Sequence, residues 1–138
     1  MTEFHSPKHG DWFWHELTTP DTEGAKRFYG AVLGWSTEDM DMGGFNYPLI
    51  KAPGGGGINL GGMMSMQGAD WGEFKPQWVL YVAVSDVEKA KADVEANGGK
   101  VMVGPDMAPG VGRFIVIQDP QGATLTLIQP SPEMGGPA

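Results

Sequence analysis

Glu16 is the residue whose type and setting point most directly to chemistry in this 138-residue chain. It lies in Trp12-Phe13-Trp14-His15-Glu16-Leu17-Thr18, with an indole two positions before it and a hydroxyl two positions after it. Period-two alternation along a strand puts Trp12, Trp14, Glu16 and Thr18 on one face and His15 on the other. A carboxylate set among indoles in an apolar cleft is poorly hydrated, which favours the neutral acid and suits it to giving or taking a proton. The preferred reading is nonetheless a carboxylate solvated at a rim, or paired with Arg27, Lys51 or Arg113. His15, turned away from that face, reads as a hydrogen-bonded structural histidine. With no cysteine in the chain there is no thiolate nucleophile, thiolate metal site or disulfide.

Other candidates are weaker. Arg113 follows Gly110 and Gly112, and either meets an anionic substrate group or is a surface charge on an edge strand. His5 and His9 sit in a polar N-terminal arm and read as flexible surface histidines. The run Gly54 to Gly57 invites a phosphate-loop reading but lacks the following Lys-Ser/Thr and a helix start. Glycine there better suits close backbone approach or a mobile hairpin lip. Met63, Met64 and Met66, with Met102 and Met107 in the second half, suit adaptable apolar binding or act as filler at an interface. Filler is the preferred reading.

The elements that must position these residues come as two copies. Trp14 to Ala25 recurs 65 positions later as Val79 to Ala90, with Asp21, Glu23 and Ala25 matched by Asp86, Glu88 and Ala90. A repeat of this size needs a shared core. In the first copy, strand 11–18 leads to a helix opened by Asp21, with apolar residues at helical spacing through Leu33 and a stop at Gly34. Strands at 35–40 and 45–52 flank the turn Asp41-Met42-Gly43-Gly44, and a short strand covers 58–60. The segment Gly61 to Pro76 is a long connector, packed or functional rather than slack. Its Trp71 and Phe74 offer a third, weaker reading as a dimerisation surface. In the second copy, strand 77–84 leads to helix 86–97, then strands at 100–103, 112–118 and 123–129. Asp119-Pro120-Gln121-Gly122 is a tight turn. The tail from Pro130 is expected to be loose. Each half reads strand, helix, three strands, an α+β pattern.

Composition narrows the partners. A net charge of −8 and scattered basic residues argue against nucleic acid. No apolar run approaches the roughly 20 residues that span a bilayer, and residues 1–10 do not resemble a signal peptide. The expectation is a cytoplasmic protein without membrane association.

The ordered set of Asp21, Phe28-Tyr29, Leu33-Gly34-Trp35, Asn97-Gly98-Gly99 and Asp119-Pro120-Gln121-Gly122-Ala123 resembles the vicinal oxygen chelate superfamily. That superfamily includes glyoxalases, extradiol dioxygenases and bleomycin-resistance proteins. The strand Trp78 to Val84 is especially similar to small glyoxalase-like proteins. The resemblance implies two tandem βαβββ modules forming a curled mixed sheet around a cleft, often completed by a second chain. The expected organisation is a single domain, 1–138, with module one at about 11–62, connector 63–76, module two at about 77–129 and tail 130–138.

Metal-using members carry His, Gln or Glu ligands on the first and last strand of each module, around a divalent ion that acts as a Lewis acid. On this chain the resemblance places those positions at Trp14, Val79 and Thr126, with the fourth near Asn59. Trp, Val and Thr offer neither carboxylate nor imidazole. The expectation is therefore no cofactor, with a divalent metal at a non-standard position as the alternative. The cleft would be lined by Trp12, Trp14, Glu16, Thr18, Gln77, Val79, Tyr81, Ala83, Thr124, Thr126 and Ile128, an aromatic pocket with few polar handles. Tyr81 either donates to a ligand oxygen or fills core. The favoured function is metal-free binding of a small hydrophobic or carbonyl-bearing molecule by a homodimer. The alternative is a glyoxalase-like lyase or isomerase with Glu16 as proton shuttle.

Overall fold

The computed structural model describes residues 7–54, 59–67, 72, 74–108 and 110–132. The fold is α+β, with elements in the order β1 (Trp12–Thr19), α1 (Thr22–Leu33), β2 (Ser36–Asp41), β3 (Asn46–Lys51), β4 (Asn59–Ser65), β5 (Gln77–Ala83), α2 (Val87–Ala96), β6 (Lys100–Ala108), β7 (Gly112–Gln118) and β8 (Thr124–Pro130). Two compact units make up the chain: an N-terminal unit, Trp14–Val79, and a C-terminal unit, Leu80–Ala138 with Met1–Phe13.

In the N-terminal unit the strands lie in the order β2-β3-β4-β1, with β1 and β4 parallel and the other neighbours antiparallel. α1 starts where the sequence predicts, because Asp21 accepts the Gly24 N–H at 2.9 Å and caps the first turn. It ends at Gly34, whose left-handed φ of 74° suits glycine and whose N–H bonds to the Gly30 carbonyl. The sheet face under α1 carries Leu17, Ile50 and Met63, packed by Ala25, Tyr29, Trp35 and Leu60. Met63 is thus a core residue, not interface filler. The fourth strand is longer than the predicted 58–60. It runs to Ser65 through Gly61 and Gly62, a pair that reads as loop in sequence. Both are glycine because other chain atoms lie close: a Cβ on Gly61 would meet the His15 carbonyl, and one on Gly62 would meet the Tyr47 ring.

The C-terminal unit repeats the topology in the order β5-β8-β7-β6, with β5 and β8 parallel. Asp86 caps α2 by accepting the N–H groups of Glu88 and Lys89. Gln129 of β8 accepts the Val87 N–H at 3.0 Å, tying helix to sheet. The core under α2 is Val84, Val87, Ala90, Ile115 and Leu127. The Asp119–Gly122 turn forms as predicted, with Asp119 Oδ1 accepting the N–H groups of Gln121 and Ala123.

Three expectations are corrected in this unit. β6 extends to Ala108 rather than 103, through register shifts that let Gly104-Pro105 sit in a strand. β7 lies between β6 and β8, so Arg113 is not on an edge strand. The tail is anchored at its start: Pro130 is buried, and Ser131 bonds through its N–H to the Val111 carbonyl and through Oγ to the Gly110 carbonyl. Among the described residues, no helix is long and apolar enough to cross a membrane.

Candidate functional site

Alternation along β1 sends Leu17 to the helix side and leaves Trp14, Glu16 and Thr18 on the opposite face of the N-terminal unit. Glu16 is 8% exposed and Thr18 2%. The Tyr47 hydroxyl donates to Glu16 Oε1 at 2.8 Å. The Trp14 indole N–H donates to the same Tyr47 oxygen at 2.9 Å. A relay from indole to phenol to carboxylate results, and the reading of Glu16 as a solvated rim residue does not hold. Two of the cations considered for it are engaged elsewhere: Lys51 bonds Glu38 at 3.3 Å and Arg113 pairs with Glu88.

Tyr47 has no place among the residues the sequence singles out. It comes from β3, reaching across β4 over Gly62, which stands opposite Glu16 in the β1–β4 register. A glycine in the strand between two chemically capable residues is the signal that marks such a crossing. The same register corrects Asn59. In the C-terminal unit Tyr81 stands opposite Thr126, and Tyr81 is the repeat partner of Glu16. The module-one counterpart of Thr126 is therefore Gly62, while Asn59 lies exposed at the start of β4.

The remaining predicted residues divide between the units. In the N-terminal unit Val79 is half-buried and Gln77 exposed at the start of β5, where its amide donates to the Lys75 carbonyl. In the C-terminal unit Tyr81 is half-buried and Thr126 is 2% exposed. Trp12 is 64% exposed. His15 Nδ1 lies 3.0 Å from the Leu60 carbonyl, a structural contact between neighbouring segments. His9 is held rather than loose, its Nδ1 accepting the Ser85 N–H at 3.0 Å. His5, Trp71 and the run Gly55 to Gly57 lie outside the described residues.

The parallel first and last strands, the two capped helices and the repeat of 65 residues agree with comparison to known proteins. The model for the Glyoxalase/Bleomycin resistance protein/Dioxygenase superfamily matches residues 13–127. The chain belongs to that superfamily. A glyoxylase-named protein of Mycobacterium tuberculosis, CFP32, is 37% identical over 127 residues, covering 90% of this chain and 46% of its own length. The chain thus spans less than half the length of the curated relatives it matches. Among solved structures, the Mn(II)-bound glyoxalase of Novosphingobium aromaticivorans is similar at a TM-score of 0.55 and 21% identity, over 87% of this chain and 38% of that one. Methylmalonyl-CoA epimerase of Mycobacterium tuberculosis is similar at 0.56 and 17%, over 95% of each chain. These likenesses concern the fold.

The superfamily's divalent ion does not suit the residues found at its ligand positions here. Gly62 has no donor side chain and lies under the Tyr47 ring. The one polar atom of the Trp14 side chain is an N–H donor already bonded to Tyr47. Val79 has no donor, and Thr126 offers a neutral hydroxyl, a weak ligand beside the carboxylates and imidazoles that hold such ions. Among the described residues, no three His, Asp or Glu side chains gather in a metal-binding cluster.

Proposed function

We propose that this superfamily member binds a small hydrophobic or carbonyl-bearing molecule without a metal, on the sheet face that carries Trp14 and Glu16. The relay from Trp14 through Tyr47 to Glu16 supports this reading. It fills the module-one ligand positions with aromatic surface and leaves one fixed carboxylate as a polar handle. Small-molecule sites commonly combine an apolar wall with few, precisely held polar groups. Binders and enzymes share this fold, so the residues must decide.

A second reading is favoured by the burial of Glu16 itself. A carboxylate oriented by a phenol and shielded from water is equipped for proton transfer next to a carbonyl, the kind of chemistry an epimerase performs. Glu16→Gln separates the two. It keeps an oxygen that accepts from Tyr47 but cannot move a proton, so ligand affinity persists while any turnover disappears. Unchanged turnover removes Glu16 from proton transfer.

The primary test is elemental analysis of tag-free protein purified without chelator and re-supplied with Mn, Fe, Co, Ni and Zn. After desalting, no stoichiometric metal should remain, and the same protein should shift its Trp14 indole N–H resonance when titrated with acetophenone. Stoichiometric metal that survives desalting overturns the metal-free reading. Retained apo-protein with no response to acetophenone overturns the choice of ligand class.

A further inference from the structure

A pocket of about 430 Å³ opens on the other side of the N-terminal sheet, beside the start of α1. Its size falls within the range of small-molecule sites. Leu17, Ala25 and Pro76 supply apolar surface, while Phe28, Tyr29 and Trp78 bring three aromatic rings. The rings are braced against one another: Phe28 meets Tyr29 edge-on at 5.0 Å, and Tyr29 meets Trp78 edge-on at 5.5 Å. Behind them Trp35 stacks on Tyr29 at 5.6 Å. Yet Phe28 remains 59% exposed and Trp78 37%.

The polar groups of the pocket sort by sign. The Trp78 indole N–H is engaged by the Tyr29 hydroxyl oxygen at 3.3 Å, and the Gln77 amide N–H by the Lys75 carbonyl at 3.2 Å. Gln77 still offers its carbonyl oxygen and its second amide N–H, and the Thr19 hydroxyl oxygen accepts the Asp21 N–H at 3.2 Å. Among the described residues, Asp21 is the one ionisable acid lining the pocket, and no lysine, arginine or histidine lines it. Gly24 lets that carboxylate fold close over the helix start, since a Cβ there would meet it. Tyr29 keeps its hydroxyl proton as a donor. The formal charge among these described residues is nevertheless negative, and the π faces carry negative charge density, in a protein of net charge −8.

We propose that this pocket binds small organic cations, a quaternary or protonated amine resting against Phe28, Tyr29 and Trp78 with its charge toward Asp21. The site is independent of the Glu16 face. Its ligand is recognised by shape and by positive charge, because aromatic faces and a carboxylate together reward a cation over a neutral body of the same size.

The test uses three soluble probes of nearly the same shape: choline, its neutral isostere 3,3-dimethylbutan-1-ol, and the anion 3,3-dimethylbutanoate. Binding to the full chain is read from the Trp78 indole N–H resonance, assigned with Trp78→Phe. Choline should bind at least about fivefold more tightly than the alcohol, with the anion weakest. Asp21→Asn keeps a good helix cap and removes the charge, so it should weaken choline by at least about threefold and leave the alcohol unchanged. Phe28→Ala, at an exposed helix position, should weaken both probes. Equal affinities for choline and the alcohol, preference for the anion, or no response to choline at about 20 mM would each overturn the proposal. So would Asp21→Asn protein that binds choline as the parent does.

Discussion

Tyr47 does for Glu16 what no sequence neighbour can: it brings a donor to a carboxylate that the sheet has taken out of water. Removing one partner of a buried hydrogen bond costs more than the bond itself is worth, because the group left behind stays desolvated. Tyr47→Phe should therefore lower the free energy of unfolding by about 1–3 kcal/mol, read from denaturant midpoints at unchanged slope. Glu16→Gln, which keeps an acceptor for the phenol, should cost clearly less. The reverse order would mean that the relay carries little of the stability of this face. At this scale the sequence shows half of the site. The alternation of Trp14, Glu16 and Thr18 is local and readable, and so is the structural role of His15. Tyr47 stands 31 positions from Glu16, and only the pairing of β3 with β4 and of β4 with β1 brings them together.

Elements were legible where a backbone requirement dictates the residue. Asp21 and Asp86 cap their helices, Gly34 takes a left-handed φ, and Asp119 organises its turn, each for local reasons that spacing reveals. β4 was not legible in full, because Gly61 and Gly62 carry the sequence signature of a loop while serving as points of close approach. Asn59 was misplaced for the same reason, since without the β1–β4 register the strand cannot be counted from its true centre. The two glycines make a testable contrast. Gly62→Ala places a methyl group against the Tyr47 ring, and such overpacking costs about 1–3 kcal/mol. With Tyr47→Ala in the same chain the obstacle is gone, so the double-mutant cycle should show strong coupling. Gly61→Ala meets the backbone of His15 instead, and Tyr47→Ala should not relieve it. Equal coupling for both glycines would contradict the packing described for β4.

Across the whole molecule, what can be read in advance is the family and what cannot is the ligand. Repeat, caps and turns are demanded by the backbone path, so they are present in a chain that carries Trp14, Gly62, Val79 and Thr126 where the resemblance and the strand register place the superfamily's ligands. The chemistry of a site has no such local requirement, and the pocket beside α1 depends on Trp78 meeting a helix 49 positions earlier in the chain. Charge is the one global property that bears on both faces. With a net charge of −8, the protein's field favours cations and disfavours anions before any contact is made. Screening separates that field from the contacts, because the Debye length falls from roughly 20 Å at about 20 mM salt to roughly 6 Å at about 300 mM. Over that change choline should lose about two- to threefold in affinity for the Asp21 pocket, and 3,3-dimethylbutan-1-ol should lose none. The Asp21→Asn protein should show a shallower dependence for choline, since one nearby charge is gone while the distant ones remain. If parent and variant respond to salt alike, the long-range field and not Asp21 supplies the electrostatic part of cation binding.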